Sequence, residues 1–318
     1  MKFVREVFVD AADWSSAMVW ALAIHGGAGA IIEALSDDHR SAVEQILPRI
    51  ADIGATMLRG GEAAIDVAEQ LAVELEECEL FNAGHGAVLS ATGTHELEAS
   101  IMDGDSGRAG ACCGLKTVRN PIRLARQVLE RTDHVFVAAP GAEVLAKEWQ
   151  LQCVPNDWFT TDRRRRQLDE FLAANQDDRM HHATVGAVVC DAEGRVAAAT
   201  STGGMTGKLP GRIGDAPMIG AGTWADARVA VSGTGLGERF IRAGTARMVS
   251  ARVELLGETL PAAAAAVLDS MPPDSGGLIA VDTSGVLALP FTSQGMYRAW
   301  ATATGTVGHA IGPTTGGP

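Results

Sequence analysis

A polar, arginine-rich segment gives way to a β-rich one at His181-His182-Ala183-Thr184-Val185-Gly186-Ala187-Val188-Val189-Cys190-Asp191. After Thr184 the apolar residues fall on alternate positions, which predicts a strand. Turn-forming residues follow at 191–194, and 195–202 is predicted to be the returning strand of a hairpin. From position alone, a threonine at the start of this hairpin is most simply a good strand former.

Three glycine-rich blocks downstream give Thr184 a second interpretation. They are STGGMT at 201–206, PGRIGD at 210–215 and SGTGLGE at 232–238. Together with Thr184-Val185-Gly186 they closely resemble the plant-type L-asparaginase/isoaspartyl peptidase family. Members of that family are N-terminal-nucleophile hydrolases that cut their own chain in front of a threonine. The likeness extends over nearly the whole chain, through further blocks at 25–29, 75–88, 94–104 and 295–300.

The resemblance implies both a fold and an assembly. The fold is an α/β (α+β) four-layer αββα sandwich of the N-terminal-nucleophile hydrolase type, in which two sheets pack face to face between helical layers. Residues 1–318 would form a single domain, cut into an α subunit (1–183) and a β subunit (184–318), and two such αβ units would pair into a dimer. A flexible linker at about 155–183 would precede the cut. Apolar strands alternating with amphipathic helices along the chain agree with this architecture.

Composition narrows the classes of partner. The 318 residues carry a formal net charge of −13, which argues against nucleic-acid or membrane-surface binding because both need a basic surface. The arginine run at 163–166 is flanked by acidic residues, and we interpret it as part of a solvated linker. Five cysteines do not suggest a disulfide framework. Glycines interrupt the apolar run at 17–32, so it predicts a buried strand rather than a signal peptide, and we expect a cytoplasmic protein.

A threonine hydroxyl is a weak nucleophile until a base takes its proton. An N-terminal threonine supplies that base itself, because a free α-amine has a pKa of about 7.7–8.0 and can accept the proton directly or through water. The amine of Thr184 exists only after the bond to Ala183 is broken. Cleavage between these two residues would therefore be the activating step.

By resemblance, the mature Thr184 attacks the side-chain carbonyl of L-asparagine or the β-aspartyl linkage of an isoaspartyl dipeptide, and a β-aspartyl-enzyme forms. The family assigns to Thr202 the tuning of Thr184. It assigns to the Thr234 hydroxyl and the Gly235 N–H the role of an oxyanion hole.

Substrate binding would fall to a second set of residues in the same blocks. The resemblance implies that Arg212 holds the substrate α-carboxylate and that Asp215 holds its α-ammonium, with Gly237 in the same pocket. A guanidinium fork suits a planar carboxylate. From the residues alone, Arg212 and Asp215 could instead be a surface ion pair that contributes little.

No catalytic cofactor is implied, but the family wraps a monovalent cation, usually sodium, in a loop of main-chain carbonyls. By position those carbonyls would belong to Leu75, Glu76, Cys78, Phe81, Ala83 and His85. From the side chains, Cys78 and His85 could be taken for a transition-metal pair, although no HExxH or CxxC motif accompanies them.

Two positions depart from the family pattern. Ala183 stands where relatives usually have glycine, so we expect slower self-cleavage, because a Cβ restricts the strained backbone that cleavage exploits. Leu236 stands where relatives often have a small polar residue, so the preferred leaving peptide would differ. Two alternatives stay open: a glycosylasparaginase-like hydrolase, which would favour Asp before Thr184, and a processing-deficient, non-catalytic homologue.

Local patterns predict several further elements. Pro48 interrupts a helical stripe, which predicts a kink or two short helices. The glycines of 25–29 predict a tight turn. The remaining expectations are a hairpin of 87–90 with 96–102, a buried strand at 135–139 and one helix over about 236–254.

Overall fold

The computed structural model describes residues 8–9, 19–29, 36–174, 183–305 and 307–313. Two β-sheets pack face to face, and helices cover the outer face of each sheet. The predicted four-layer αββα sandwich is confirmed. In the described part of the chain, no helix is both long and apolar enough to cross a membrane.

The strands are β1 (Phe8–Val9), β2 (Ala21–Ala28), β3 (Leu97–Asp103), β4 (Ala109–Leu115), β5 (Phe136–Ala138), β6 (Val185–Cys190), β7 (Val196–Thr202), β8 (Thr223–Ala225), β9 (Val229–Gly235), β10 (Gly276–Asp282), β11 (Leu287–Ala288), β12 (Met296–Thr302) and β13 (Val307–Ala310). The larger sheet has eight strands in the order β13-β12-β2-β6-β7-β3-β4-β5. The smaller has five in the order β1-β11-β10-β9-β8. Neighbouring strands are antiparallel, except that β5 runs parallel to β4.

The α-helices are α1 (Asp37–Arg59), α2 (Ala64–Glu77), α3 (Pro121–Arg131), α4 (Gly141–Glu148), α5 (Asp162–Ala173), α6 (Gly237–Ala243), α7 (Thr245–Leu256) and α8 (Leu260–Asp269). Helices α1 to α3 bury their apolar faces, including Leu47 and Leu71, on the larger sheet. Helices α7 and α8 cover the smaller sheet. Between the sheets the core contains many small side chains, such as Ala23, Ala198 and Ala230.

The register brings several strand ends to one edge of the sandwich. In the larger sheet, His25 near the end of β2 pairs with Gly186 at the start of β6. Val185 pairs with Ser201 near the end of β7. The end of β9 in the smaller sheet carries Thr234. The predicted nucleophile, Thr184, therefore lies close to the predicted oxyanion residue, Thr234, and to the glycine-containing end of β2.

Two local predictions need correction. The alternative of two short helices at Pro48 is wrong, since α1 runs through Pro48 as one helix, with Leu47 and Ile50 beside it buried against the sheet. Strand β3 pairs with β4 and β7 rather than with 87–90. The backbone at 87–91 is held instead by distant groups, such as the side chain of Asn82, which accepts from Val88 N, and the carbonyl of Lys208.

Two predicted elements exist in a different form. Strand β5 is a three-residue edge strand with Phe136 exposed, not a buried strand. The helix predicted over 236–254 is divided into α6 and α7 at Gly244, whose φ of +59° is in the left-handed region.

The predicted linker at about 155–183 is ordered over its first half. A 3-10 turn at Asn156–Phe159 leads into α5, where Thr161 caps the helix by accepting from Arg164 N. The Arg164 side chain is buried, and its Nε donates to the carbonyl of Gly86. The arginine run is thus not wholly solvated, because one of its guanidinium groups satisfies a loop carbonyl in the interior. The remainder of the predicted linker, 175–182, lies outside the described residues.

Gly244 gives a direct test of the break between α6 and α7. A Cβ added there would meet nothing within 4 Å, so the only cost of Gly244→Ala is the left-handed backbone. We expect a loss of about 1 kcal/mol in the free energy of unfolding, measured by urea titration of an uncut Thr184→Ala chain. Gly141→Ala is the matched control, since Gly141 begins α4 with equal space and its φ is not in the left-handed region. It should be neutral or stabilising by up to about 1 kcal/mol; equal losses in both variants would contradict this account.

Candidate active site

The peptide group between Ala183 and Thr184 is held on both sides by hydrogen bonds. The Ala183 carbonyl accepts from Asn82 Nδ2 at 2.6 Å and from Thr202 Oγ1 at 3.2 Å. The Thr184 N–H donates to Thr234 Oγ1 at 3.3 Å. Thr184 itself is buried. The three threonines singled out by sequence therefore surround one peptide bond.

Asn82 is fixed by its own partners. Its Nδ2 also donates to the Gly204 carbonyl at 2.7 Å, and its Oδ1 accepts from Val88 N at 2.8 Å. These three bonds define the orientation of the amide, because the two carbonyls need a donor and the N–H needs an acceptor. Thr202 is oriented in a similar way, since its Oγ1 accepts from Gly204 N at 2.9 Å and so directs its proton to Ala183.

Strand β2 forms the wall of the site. His25 Nδ1 lies 2.8 Å from the Thr184 carbonyl, and Ala28 N donates to Thr234 Oγ1 at 3.1 Å. A Cβ on Gly27 would lie 2.6 Å from the Cβ of Ala183. The tight turn predicted for 25–29 is wrong, because 25–28 are part of β2, but the glycine does allow two backbones to pass closely.

Burial sets the charge of His25. Its side chain is fully buried, and desolvation lowers its pKa from 6.5 to about 3, against the opposing effect of the bond to Thr184. His25 is therefore neutral near pH 7.

Gly235 follows Thr234 at the end of β9 and pairs with Gly276. A Cβ at Gly235 would lie 2.1 Å from the Ser275 carbonyl, and its φ is +150°. Only glycine fits between β9 and β10 at this point.

The residues of the predicted substrate clamp also lie together. Arg212 donates from Nε and Nη2 to the two carboxylate oxygens of Glu238, each at 2.9 Å. A Cβ on Gly237 would lie 2.8 Å from Asp215 Oδ1 and 2.9 Å from Arg212 Nη2. The ion-pair partner of Arg212 is thus Glu238, and Gly237 fits against both clamp residues because it has no side chain.

Asp215 has an unusual environment for a carboxyl group. It is 3% exposed, and its Oδ2 is buried without a hydrogen-bond partner. Burial raises its pKa from 3.8 to about 7, Arg212 opposes the rise, and the neighbouring Glu98 and Glu238 add to it.

A buried ion pair supports the loop that carries the clamp. Glu98 Oε1 lies 3.1 Å from Lys208 Nζ, and both side chains are 1% exposed. Glu98 Oε2 accepts from Gly214 N at 2.8 Å. One carboxylate on β3 therefore fixes both ends of the segment 208–214, which contains Arg212.

The loop after α2 folds its main chain inward. The Glu76 carbonyl accepts from His85 N at 2.7 Å. A Cβ on Gly86 would lie 2.6 Å from the Glu79 carbonyl oxygen and 2.8 Å from that of Phe81. Of these carbonyls, those of Glu76 and Phe81 belong to the predicted cation-binding set, and carbonyl oxygens are ligands that a hard cation accepts. Among the described residues there is no cluster of three or more His, Cys, Asp or Glu side chains that could hold a metal, so Cys78 and His85 do not belong to one.

Comparison with known proteins decides the family. The asparaginase family model matches residues 18–311. The chain belongs to the asparaginase family. It is 46% identical over 310 residues to an isoaspartyl peptidase of Salmonella typhimurium, covering 93% of this chain and 97% of that protein.

Two more distant members extend the comparison. A plant-type L-asparaginase of Pyrobaculum calidifontis is 40% identical over 291 residues, which cover 88% of this chain and 96% of that protein. An isoaspartyl peptidase/L-asparaginase of Mus musculus is 39% identical over 281 residues, which cover 86% of this chain and 85% of that protein.

Sequence reasoning missed several residues of this asparaginase-family site. His25 and Asn82 lie inside the quoted blocks, and a histidine within an apolar strand was a usable signal that received no role. Glu98 interrupts the apolar strand β3 in the same way. Glu238 also lies in a block, at the end of SGTGLGE, but no pattern paired it with Arg212, and none pointed to Lys208.

The buried Asp215 carboxyl, whose Oδ2 has no hydrogen-bond partner, should make the free energy of unfolding depend on pH. Its pKa is about 7 in the folded chain and 3.8 when unperturbed, so between these values the folded state holds the proton and the unfolded state does not. Stability contributed by the protonated carboxyl is therefore lost as pH rises toward 7. In the uncut chain we expect Asp215→Asn to raise the free energy of unfolding at pH 8 by about 1–3 kcal/mol and to have little effect at pH 4. Glu62→Gln, at an exposed position, is the control and should have little effect at either pH; an equal gain at both pH values for Asp215→Asn would contradict the assignment.

Proposed function

We propose that the chain is a self-cleaving threonine hydrolase that acts on β-aspartyl dipeptides and on the side-chain amide of L-asparagine. The observation that carries the proposal is the peptide bond before Thr184, whose carbonyl and N–H contact Asn82, Thr202 and Thr234. The names of the relatives, isoaspartyl peptidase and plant-type L-asparaginase, support the choice of substrates.

Self-cleavage uses the atoms already in place. Thr184 Oγ1 attacks the Ala183 carbonyl carbon, and the negative charge on the carbonyl oxygen is stabilised by the donors on Asn82 and Thr202. The C–N bond breaks, the hydroxyl proton goes to the Thr184 nitrogen, and an ester joins the two residues. Water hydrolyses the ester, which leaves a carboxylate on Ala183 and a free amine and hydroxyl on Thr184.

The mature reaction repeats this chemistry on substrate. The amine of Thr184 accepts its hydroxyl proton as Oγ1 attacks the β-carbonyl of the substrate. Ammonia or the peptide amine leaves with a proton, and a β-aspartyl ester remains on Thr184. Water then releases aspartate. The Thr234 hydroxyl and the Gly235 N–H stabilise the oxyanion, and loss of one such donor typically costs about 2.7–4 kcal/mol of barrier.

The substrate is held by its free amino-acid end. Arg212, held by Glu238 at 2.9 Å, presents its guanidinium to the α-carboxylate. Asp215 accepts a hydrogen bond from the α-ammonium, which gives the buried Oδ2 the partner it lacks. A positive charge beside Asp215 also restores its ionised form, so binding offsets the cost of burying this carboxyl.

The loop after α2 would hold a monovalent cation, for which sodium is the first candidate. The carbonyls of Leu75, Glu76, Cys78, Phe81, Ala83 and His85 would hold it. Its contribution would be structural, because it would fix the loop that carries Asn82.

The mature particle is a dimer of αβ units. It works in the cytoplasm, in keeping with five free cysteines.

The nucleophile assignment predicts the fate of the chain. Thr184→Ala removes the attacking oxygen from both reactions, so we expect one uncut band on a denaturing gel and no release of aspartate from β-aspartyl dipeptides. Thr184→Ser should retain some of each activity, since it keeps a hydroxyl. Thr56→Ala, on an exposed face of α1, is the control and should cut and turn over normally. Normal hydrolysis by Thr184→Ala would disprove the role of Thr184.

The clamp predicts which substrates are refused. N-acetylation of a β-aspartyl dipeptide removes the ammonium and leaves Asp215 unpartnered, at a cost of about 1–3 kcal/mol, so kcat/KM should fall tenfold to a hundredfold or more. Asp215→Ala should narrow this gap, chiefly by damaging turnover of the free dipeptide. Glu238→Gln is the matched control: it should weaken binding of both substrates and preserve the ratio between them. Equal kcat/KM for free and acetylated dipeptides in the unaltered enzyme would refute the clamp.

A further inference from the structure

A continuous chain of buried hydrogen-bonding side chains runs from Thr184 into the space between the sheets. His25 Nε2 lies 2.9 Å from Ser232 Oγ, and Ser232 Oγ lies 2.7 Å from Thr200 Oγ1. Thr223 Oγ1 donates to Thr200 Oγ1 at 2.5 Å. Each of these four side chains is 0% exposed. None of them has a role in the reaction as proposed above.

The chain crosses between the sheets at every step. His25 and Thr200 belong to the eight-stranded sheet, whereas Ser232 and Thr223 belong to the five-stranded sheet. At its far end it reaches Ser100, whose Oγ lies 2.7 Å from Thr223 Oγ1 and 2.6 Å from the Ala216 carbonyl. Ser100 has a single proton, which it donates either to Thr223 or to this carbonyl, so the ordered series of hydrogen bonds ends at Thr223.

The directions of the hydrogen bonds from His25 to Thr223 follow from one requirement. The Thr184 carbonyl can only accept, so His25 must carry its proton on Nδ1. Nε2 of the neutral ring is then an acceptor, and Ser232 must donate to it. Ser232 has no second proton, so it accepts from Thr200, and Thr200 in turn accepts from Thr223.

Competing arrangements are poorer. The other acceptor within reach of Thr200 is the Gly222 carbonyl, which is 3.4 Å away and already accepts from Gly233 N at 2.8 Å. The alternative tautomer of His25 would place a lone pair against the carbonyl of Thr184 at 2.8 Å. A charged ring is disfavoured by full burial, which lowers the pKa of His25 to about 3.

The side chain of His25 bonds to the main chain just beyond the point where strand pairing ends. Pairing of β2 with β6 stops at His25 and Gly186, two residues after Thr184, whose carbonyl His25 bonds with its side chain. Gly186 leaves room for the hydrogen bond between His25 and Ser232, because a Cβ at residue 186 would lie 2.0 Å from Ser232 Oγ and 2.5 Å from His25 Nε2.

We propose that His25 is a positioning residue, whose Nδ1–H tautomer anchors the main chain of Thr184 and is selected by the hydroxyls of Ser232, Thr200 and Thr223. Anchoring the carbonyl of residue 184 fixes the direction in which its nitrogen and Oγ1 face the scissile or substrate carbonyl. The kinetic consequences rest on the proposed function, but the tautomer does not.

Two amide substitutions separate anchoring from space filling. In His25→Asn the amide nitrogen coincides with Nδ1 and can still donate to Thr184. In His25→Gln the longer side chain fills the cavity better, but its amide reaches the Nε2 position, next to Ser232. We expect Asn to retain more self-cleavage and a higher kcat on a β-aspartyl dipeptide than Gln, with KM changed less than twofold in both.

The hydroxyl chain is tested by Ser232→Ala and Thr200→Val in the full-length protein. Loss of one buried hydrogen bond should lower kcat about three- to tenfold, more for Ser232 than for the more distant Thr200, with little change in KM. Thr245→Val is the matched control, because Thr245 is a buried threonine outside the chain, bonded to Phe240 O and Met271. It should leave kcat unchanged.

The tautomer is measured directly by nitrogen-15 NMR of imidazole-labelled protein, with the His25 signals identified by their absence in His25→Asn. We expect a neutral ring protonated on Nδ1 at pH 7. An Nε2-protonated or charged ring in the unaltered protein would overturn the proposal, as would equal or better function of Gln relative to Asn, or a kcat for Ser232→Ala equal to that of the control.

If the His25 variants do not fold, the His25 signals are identified instead as those that shift or broaden in Ser232→Ala, so the spectrum of the unaltered protein still gives the tautomer. An Nδ1–H ring in a protein that does not hydrolyse β-aspartyl dipeptides would leave the proposal standing and count against the proposed function alone.

Discussion

Close approach of several backbones to one peptide bond is the constraint on which the rest of the structure depends. The Ala183–Thr184 peptide is hydrogen-bonded from the loop containing Asn82, from β7 and from β9, and His25 on β2 bonds to the next carbonyl along, that of Thr184. Such crowding leaves no room for side chains. A Cβ on Gly27 would reach Ala183, and one on Gly203 would lie 2.8 Å from Asn82 Oδ1. The glycine-rich blocks of the sequence are thus the places where main chains converge on the site.

The segment that carries the proposed substrate clamp retains energetically unfavourable groups instead. Asp215 is buried with an unpartnered oxygen, and the Glu98–Lys208 pair is removed from water. Burying charges costs free energy that an apolar pair would not. Natural proteins tolerate such costs where a ligand supplies the missing partner. The pair also has a geometric use, since Glu98 fixes the segment before Asp215 through Gly214 N.

The sequence predicted the architecture because each level pointed to the same answer. The predicted hairpin is present as β6 and β7, and the blocks at 25–29, 201–206 and 232–238 fall at the ends of β2, β7 and β9. Prediction failed where the deciding partner was distant. The backbone at 87–91 is held by Asn82 and Lys208, and the buried Arg164 satisfies the carbonyl of Gly86, 78 residues away. No local pattern contains such contacts.

The sequence does not reveal the hydrogen-bonded hydroxyl groups for the same reason, because their partners are distant in the sequence. The members of the hydrogen-bonded chain lie on four strands of two sheets, each flanked by ordinary strand residues. What the sequence does show is the abundance of alanine and glycine in β2, β6, β7 and β9. Small side chains let the two sheets approach closely, and short polar side chains such as Ser232 and Thr200 can bridge only a narrow gap. Larger apolar residues would exclude more water but would separate the two hydroxyls. The alanine-rich interface and the hydrogen-bonded chain therefore depend on each other, and a substitution that enlarges one small residue there would disturb the position of Thr184 from a distance.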